Sequence, residues 1–200
     1  VPDEFRLAIA LLAAGQSRRF GSADKLAAPL LGKKLGVHAA ETLADVDAAL
    51  RLVVVPRLDH PCSNEWRSLG FTPLANADAR EGMGSSVRLA ASHARKAEAD
   101  ALLIALADMP LIKAHHIKAL IDAAKREGAK AIYASSDGRR KMPPACFGKD
   151  HFQALTKLQG DAGARAMLSD ARAINCEPQT LMDIDDADSL AALEKKLKAV

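Results

Sequence analysis

Short, mostly apolar runs alternate along this chain with longer stretches in which apolar residues recur every three or four positions. Leu7–Leu12 (LAIALL), Leu50–Val55 (LRLVVV), Leu102–Leu106 and Ala131–Ala134 are runs of the length and composition expected of buried parallel strands. Pro56 ends the second of them, and Gly70–Leu74 is a weaker strand candidate. Helical spacing appears between them. Lys33–Leu43 reads as a helix weakened by Gly36, Pro61–Leu69 as a short helical segment, and Ser85–Lys96 as a helix with Val87, Leu89, Ala90 and Ala94 inward. Lys113–Arg126 is the clearest amphipathic helix, with Ile117, Leu120, Ile121 and Ala124 on one face and Gly128 placed to end it.

After Tyr133 the rhythm changes. Ser135–Gly148 (SSDGRRKMPPACFG) holds a turn signal and a Pro-Pro pair and reads as an irregular hairpin or insertion. Two short helices (His151–Leu158, Ala162–Leu168) and short strands at Ile174 and Met182–Ile184 follow. The closing helix, Asp186–Lys198, carries Leu190, Leu193 and Leu197 on one face and lysines at its end. Strand–helix alternation predicts an α/β fold: a Rossmann-like three-layer αβα sandwich, mostly parallel, with a small irregular hairpin insertion. With no internal repeat and no linker, residues 1–200 are expected to form a single domain.

Composition narrows the function classes. Apolar residues make up 49% of the 200 residues and charged residues 26%, a globular profile, while aromatics at 4% leave the core to Ala, Leu, Ile and Val. A net charge of +3 without a basic face argues against nucleic acid as partner. No apolar stretch is long enough for a bilayer, so no membrane partner is expected. Cys62, Cys146 and Cys176 are far apart, without a CxxC pair, which fits reduced thiols better than a zinc site. The start, VPDEFRLAIALL, does not read as a signal peptide. Together these predict a cytoplasmic protein.

The candidate chemistry begins after the first strand, where ligands bind in open α/β sheets. Ala13–Lys25 packs glycines, Arg18, Arg19 and Lys25 into one loop, a combination of backbone donors and cations suited to a polyphosphate. It is not a P-loop: Gly15 and Gly21 are spaced wrongly and Ser22 stands where lysine is required. The dinucleotide fingerprint fails too, at Gly15 and again at Gly82-Met83-Gly84, where Val87 occupies the third glycine position.

What does match is Leu12-Ala13-Ala14-Gly15-Gln16-Ser17-Arg18-Arg19-Phe20-Gly21 followed by Asp24-Lys25-Leu26. This resembles the signature loop of the MobA-like nucleotidyltransferase superfamily. The resemblance extends through Glu81–Ser86, similar to the second nucleotide-facing loop, although Ser85 or Ser86 would equally serve as helix N-caps. It continues at Leu106-Ala107-Asp108-Met109-Pro110, where the family carries a metal-binding aspartate and where a helix cap is the alternative. Lys141–Phe147 is similar to the family's acceptor segment and Gly160–Arg165 to its G-D-x-G-A-R stretch, in which Asp161 could also simply cap a helix. Asp183-Ile184-Asp185 is similar to the closing D-I-D, with Asp186-Ala187 in place of the frequent Thr-Pro. His115 and His116, adjacent at a helix start, are expected to be surface or capping residues.

The resemblance implies nucleotidyl transfer by an enzyme: an acceptor phosphate attacks the α-phosphorus of a nucleoside triphosphate and pyrophosphate leaves. It assigns catalytic roles to Arg19, Lys25 and Asp108. Nucleotide binding falls to Leu12, Ala13, Ala14, Gly15, Ser17, Arg19, Lys25, Gly82, Gly84, Ser85 and Ser86. Mg²⁺ falls to Asp108 with Asp185, Asp183 in reserve, and the acceptor to Pro144, Ala145 and Asp161. Arg18 sits on a variable position and is expected to face solvent. The L-A-A-G start is similar to the molybdopterin cytidylyltransferase branch, which implies CTP and molybdopterin as substrates and leaves room for a molybdoenzyme chaperone as partner. A related transferase using GTP or a sugar or polyol phosphate, and a nucleotide-binding chaperone without turnover, are the alternatives.

Overall fold

The computed structural model describes residues 4–15, 20, 24–158 and 160–199, with backbone alone at 161–165. Its centre is a seven-stranded sheet in the order β5-β4-β1-β6-β8-β7-β9. The strands are β1 (Leu7–Leu12), β4 (Leu50–Val55), β5 (Thr72–Ala75), β6 (Ala101–Leu106), β7 (Ile132–Ser136), β8 (Lys141–Gly148) and β9 (Arg172–Asn175). β5, β4, β1 and β6 pair in parallel, as do β7 and β9, and only β8 runs against its neighbours. The two remaining strands, β2 (Pro29–Leu30) and β3 (Lys33–Lys34), form a small antiparallel hairpin. The fold is therefore the expected α/β sandwich.

β1 is buried at every position, and its alternate residues feed two cores. Leu7, Ile9 and Leu11 point to one face, packed by α1 (Leu35–Ala44), α2 (Ser63–Ser68) and α4 (Ala114–Glu127). Ala8, Ala10 and Leu12 point to the other, packed by α3 (Met83–Lys96) and α5 (Phe152–Leu155). α6 (Gly160–Ser169) lies against α3. α7 (Ala187–Lys198) closes a third cluster through Leu190, Leu193, Ile184 and the β2–β3 hairpin's Leu30. Asp186 caps it in a capping box with Ser189. Among the described residues no helix is long and apolar enough to cross a membrane.

One local expectation is sharpened and two are corrected. Ser135–Gly148 is an irregular hairpin rather than an insertion: β7 and β8 pair antiparallel across a short turn, and β8 is an eight-residue strand inside the sheet. Its prolines are tolerated because the β7 register jumps from Ala134↔Ala145 to Ser135↔Met142, leaving Pro143 and Pro144 at a bulge where no ladder N–H is needed. Met182–Ile184 joins no sheet; it leaves a 3₁₀ turn (Pro178–Leu181) and is tied down by the Ile184 N–H on the Asp108 carbonyl. His116 is neither surface nor cap. It is 2% exposed, on the inner side of α4, and its Nε2 lies 2.8 Å from Ser135 Oγ. Because Ser135 donates its own proton to the Pro144 carbonyl (2.7 Å), the imidazole must be the donor.

Candidate active site

The chain crosses from β1 to β4 and β5 on one side, then returns to β6 on the other, so the strand order reverses at β1. Loops leaving the carboxyl ends of β1 and β6 diverge there and open a crevice. A cleft of about 410 Å³ occupies this point. Leu12, Ala13, Ala14 and Gly15 wall it from β1, and Leu106 and Asp108 from β6. Lys25 enters from the 3₁₀ turn Lys25–Ala27, and Gly82, Met83 and Ser86 line it from the start of α3. Among the described residues, nothing lies within 4 Å of a Cβ placed at Gly15.

Lys25 and Asp108 form the centre. Lys25 is buried, and its Nζ lies 2.7 Å from Asp108 Oδ2 and 3.8 Å from Asp185 Oδ1. Burial pushes the Asp108 carboxyl up from its ordinary value; Lys25 works against that shift, and the nearby Asp183 adds to it. Asp108 is not a helix cap, because Lys113 holds that position before α4. Its other oxygen, Oδ1, is buried with no hydrogen-bond partner among the described residues. A buried acceptor left bare costs about 1–3 kcal/mol, so this atom is a candidate donor to a ligand. A hard oxygen donor beside Asp185 and Asp183 suits Mg²⁺, which takes one or two carboxylates and completes its shell with phosphates and waters. Among the described residues no group of three or more His, Cys, Asp or Glu side chains could hold a metal alone. The donor set fits an ion that arrives with a substrate's phosphates.

The second loop divides into two jobs. Gly82 adopts φ +99°, a conformation other residues rarely take, and turns the chain into α3. Gly84 and Ser85 do not line the cleft. A Cβ on Gly84 would run into the Gly160 carbonyl oxygen, so this glycine serves the contact between α3 and α6. Neither serine caps α3; Gly82 stands at the N-cap. Both serine hydroxyls instead accept from Asn76 Nδ2, at 2.9 Å and 3.0 Å, and Asn76 Oδ1 accepts from the Asp78 N–H. Ser85 gives its proton to the Gly82 carbonyl, which leaves Ser86 as the hydroxyl of the pair that faces the cleft.

Residues 9–175 match the family described as the MobA-like NTP transferase domain. The chain belongs to that family. It is 32% identical, over 166 residues, to the purine catabolism protein PucB of Bacillus subtilis (strain 168), 78% of each chain being covered. In fold it is similar to a nucleotidyl transferase from Methanothermobacter thermautotroptrophicus (TM-score 0.78, 17% identity, 98% of this chain and 99% of that one). It is also similar to the molybdopterin-guanine dinucleotide biosynthesis protein A from Archaeoglobus fulgidus (TM-score 0.70, 17% identity, 96% of this chain and 100% of that one). The chain is accordingly a MobA-like nucleotidyltransferase, with general activity on a nucleotide and a phosphate acceptor, and the cleft is its candidate active site.

Within that family frame, the structure brings Leu12, Ala13, Ala14, Gly15, Lys25, Gly82, Ser86 and Asp108 together, with Asp185 at their edge. It does not bring Pro144 or Ala145 to them. Both are buried, and Ala145 walls a separate apolar hollow with Val87, Ile104 and Phe147. Among the described residues Met83 alone borders both spaces. Ser17 and Arg19, with Arg18, lie outside the described residues, as does the side chain of Asp161. Asp24, His60, Asn76 and Arg80 are the residues that motif reading missed. Asp24, His60 and Arg80 line the cleft, and Asn76 braces it. Asp24 stands inside the matched motif; the other three carry no local pattern that marks them.

Proposed function

We propose that the chain transfers CMP from CTP to the phosphate of molybdopterin, releasing pyrophosphate and forming molybdopterin cytosine dinucleotide. The observation that carries this reading is the part-buried Lys25–Asp108 pair, with a carboxylate oxygen that has no partner among the described residues, in the crevice where the strand order reverses. The barrier to such a transfer is mainly charge, since two anions must meet and more charge gathers on the leaving group.

Lys25 meets that demand. Its ammonium has three donors, so it can keep Asp108 while binding β- and γ-phosphate oxygens and the departing pyrophosphate. Arg19 is proposed as the second cation on the same phosphates. Ser86 offers a hydroxyl to the nucleoside, and Gly15, which has no Cβ, lets phosphate oxygens approach the backbone. Asp108, with Asp185 or Asp183, would hold Mg²⁺, which when bound offsets charge on the α-phosphate and the acceptor. The acceptor phosphate is already ionised near neutrality, so no general base is needed to activate it. Pro144, Ala145 and Asp161 are proposed for the acceptor side, Ala145 from the apolar hollow that Met83 also borders.

Support for cytosine is the Leu12-Ala13-Ala14-Gly15 sequence, which resembles the cytidylyltransferase branch. Support for molybdopterin is that same resemblance, together with likeness in fold to a protein named for molybdopterin-guanine dinucleotide biosynthesis. The test incubates the protein with molybdopterin, Mg²⁺ and each of the four ribonucleoside triphosphates in turn, and reads both dinucleotide and pyrophosphate. CTP is expected to give product well ahead of the others. Product from GTP alone, turnover only with a sugar or polyol phosphate as acceptor, or CTP binding without pyrophosphate release would each overturn it.

A further inference from the structure

Lys25 is gripped from behind as well as from the front. Asp24 Oδ1 accepts the Leu26 N–H at 2.8 Å and so caps the 3₁₀ turn that begins at Lys25. Its second oxygen, Oδ2, lies 2.9 Å from His60 Nε2. His60 is 7% exposed, and its Nδ1 accepts the Cys62 N–H at 3.1 Å. A nitrogen that accepts from an amide carries no proton, so the Nε2 proton points at Asp24. The His60 contact is also the main reason that the Asp24 carboxyl sits below its ordinary range.

The loop that carries His60 makes a second grip on the same turn. Cys62 Sγ lies 3.2 Å from the Leu26 carbonyl. Burial pushes this thiol up to about 12, so it keeps its proton and donates. The loop itself is anchored: the His60 ring lies 4.8 Å from the Trp66 ring, centroid to centroid, and Trp66 Nε1 donates to the Gly36 carbonyl. A catalytic cation on a short turn is useful only if the turn cannot drift, and misplacement by about 1 Å can cost on the order of 10²-fold in rate.

We propose that His60, acting through Asp24, is a positioning residue that fixes Lys25 against the phosphates of the bound nucleotide. This rests on the reading of Lys25 as the triphosphate cation. Two substitutions separate hydrogen bonding from packing. H60F keeps an aromatic ring beside Trp66 and loses the donor; H60Q loses the ring but carries an amide N–H near the Nε2 position. H60F is expected to lower kcat/KM for the nucleotide by about 10- to 10²-fold. KM for the acceptor should be unchanged, and H60Q should recover most of the loss. D24N should fall likewise, because an amide N–H would then face the Nε2 proton, and D24N/H60Q should be better than D24N alone, since a glutamine can turn its oxygen to the new donor.

Inorganic pyrophosphate, titrated by calorimetry, serves as a probe that does not depend on which nucleotide or acceptor is used. If wild-type protein binds pyrophosphate and H60F binds it at least about 10-fold more weakly, with H60Q close to wild type, the positioning role holds even where CTP and molybdopterin give no product. That outcome would fault the assigned substrates alone. Equal pyrophosphate affinity in wild type and H60F, or equal losses in H60F and H60Q that merely track their melting temperatures, would overturn the proposal.

Discussion

Lys25 and Asp108 hold opposite charges 2.7 Å apart in a largely buried setting, and neither can be removed without stranding the other. K25A is expected to lower kcat/KM by about 10² to 10³, the usual cost of one preorganised donor aimed at developing charge. Steady-state pyrophosphate release checks this, and near-wild-type turnover would remove Lys25 from the chemistry. D108N keeps the shape and one oxygen but loses the charge; its rate should no longer rise with added Mg²⁺ in the range where the wild-type rate does. A different residue-scale effect is expected at His116. Burial, with His115 adding to it, depresses its folded-state value below the ordinary 6.5, so the native protein favours the neutral ring. The unfolded chain then takes up the proton first as pH falls. The stability that this group supplies is complete above the unfolded value and is lost as pH drops from there to the folded one. Urea unfolding from about pH 7.5 down to about pH 5.5 should show that decline, and H116Q, which keeps a donor for Ser135 but does not titrate, should show less of it.

At the scale of elements, two glycines make a controlled comparison. A Cβ on Gly84 would meet the Gly160 carbonyl, and one on Gly148 would meet the Ala129 carbonyl; both obstacles are backbone and cannot swing aside. G84A and G148A should each cost about 1–3 kcal/mol in urea unfolding, the range for overpacked sites. Only G84A should also raise KM for the nucleotide, because it displaces the start of α3 that carries Ser86, whereas Gly148 ends β8 away from the cleft. The same elements show what a sequence can announce. β1 and β6 are readable because burial on both faces leaves an unbroken apolar run, β4 because its Leu52–Val55 end does the same, and α4 because one face repeats at helical spacing. β8 is legible only as part of an irregular hairpin, since proline normally excludes a central strand and nothing local reveals that these two sit at a bulge. The β2–β3 hairpin is two residues on each side, too short to carry a period. The site divides in the same way: Lys25 and Asp108 stand in contiguous motifs, whereas His60 and Asn76 act through contacts that exist only once β4, β5 and the β1 loop have been brought together.

For the whole molecule, the order of the strands decides where binding energy is released. The reversal at β1 places Lys25 from the loop after β1 and Asp108 from the end of β6 around a single crevice, so a nucleotide that fills it ties the β1 loop, the start of α3 and the end of β6 to one another. A ligand that binds only the folded state stabilises by RT ln(1 + [L]/Kd), about 2.7 kcal/mol at 100 times Kd. In a chain of this size each kcal/mol moves Tm by about 2–4 °C, so saturating CTP with Mg²⁺ should raise Tm by about 5–10 °C. Because the bare Asp108 oxygen is the expected seat of the ion, CTP without Mg²⁺ should give a clearly smaller shift, and D108N should show little difference between the two conditions. The four triphosphates share their phosphates, so a common part of the shift belongs to Lys25 and the loop around it and should be largely lost in K25A. Any excess for CTP belongs to the nucleoside side, at Ser86 and the Leu12–Gly15 wall. Equal shifts for all four would leave the phosphate-gripping site standing and remove cytosine from its specification, while no shift in any of them would remove the nucleotide from this cleft altogether.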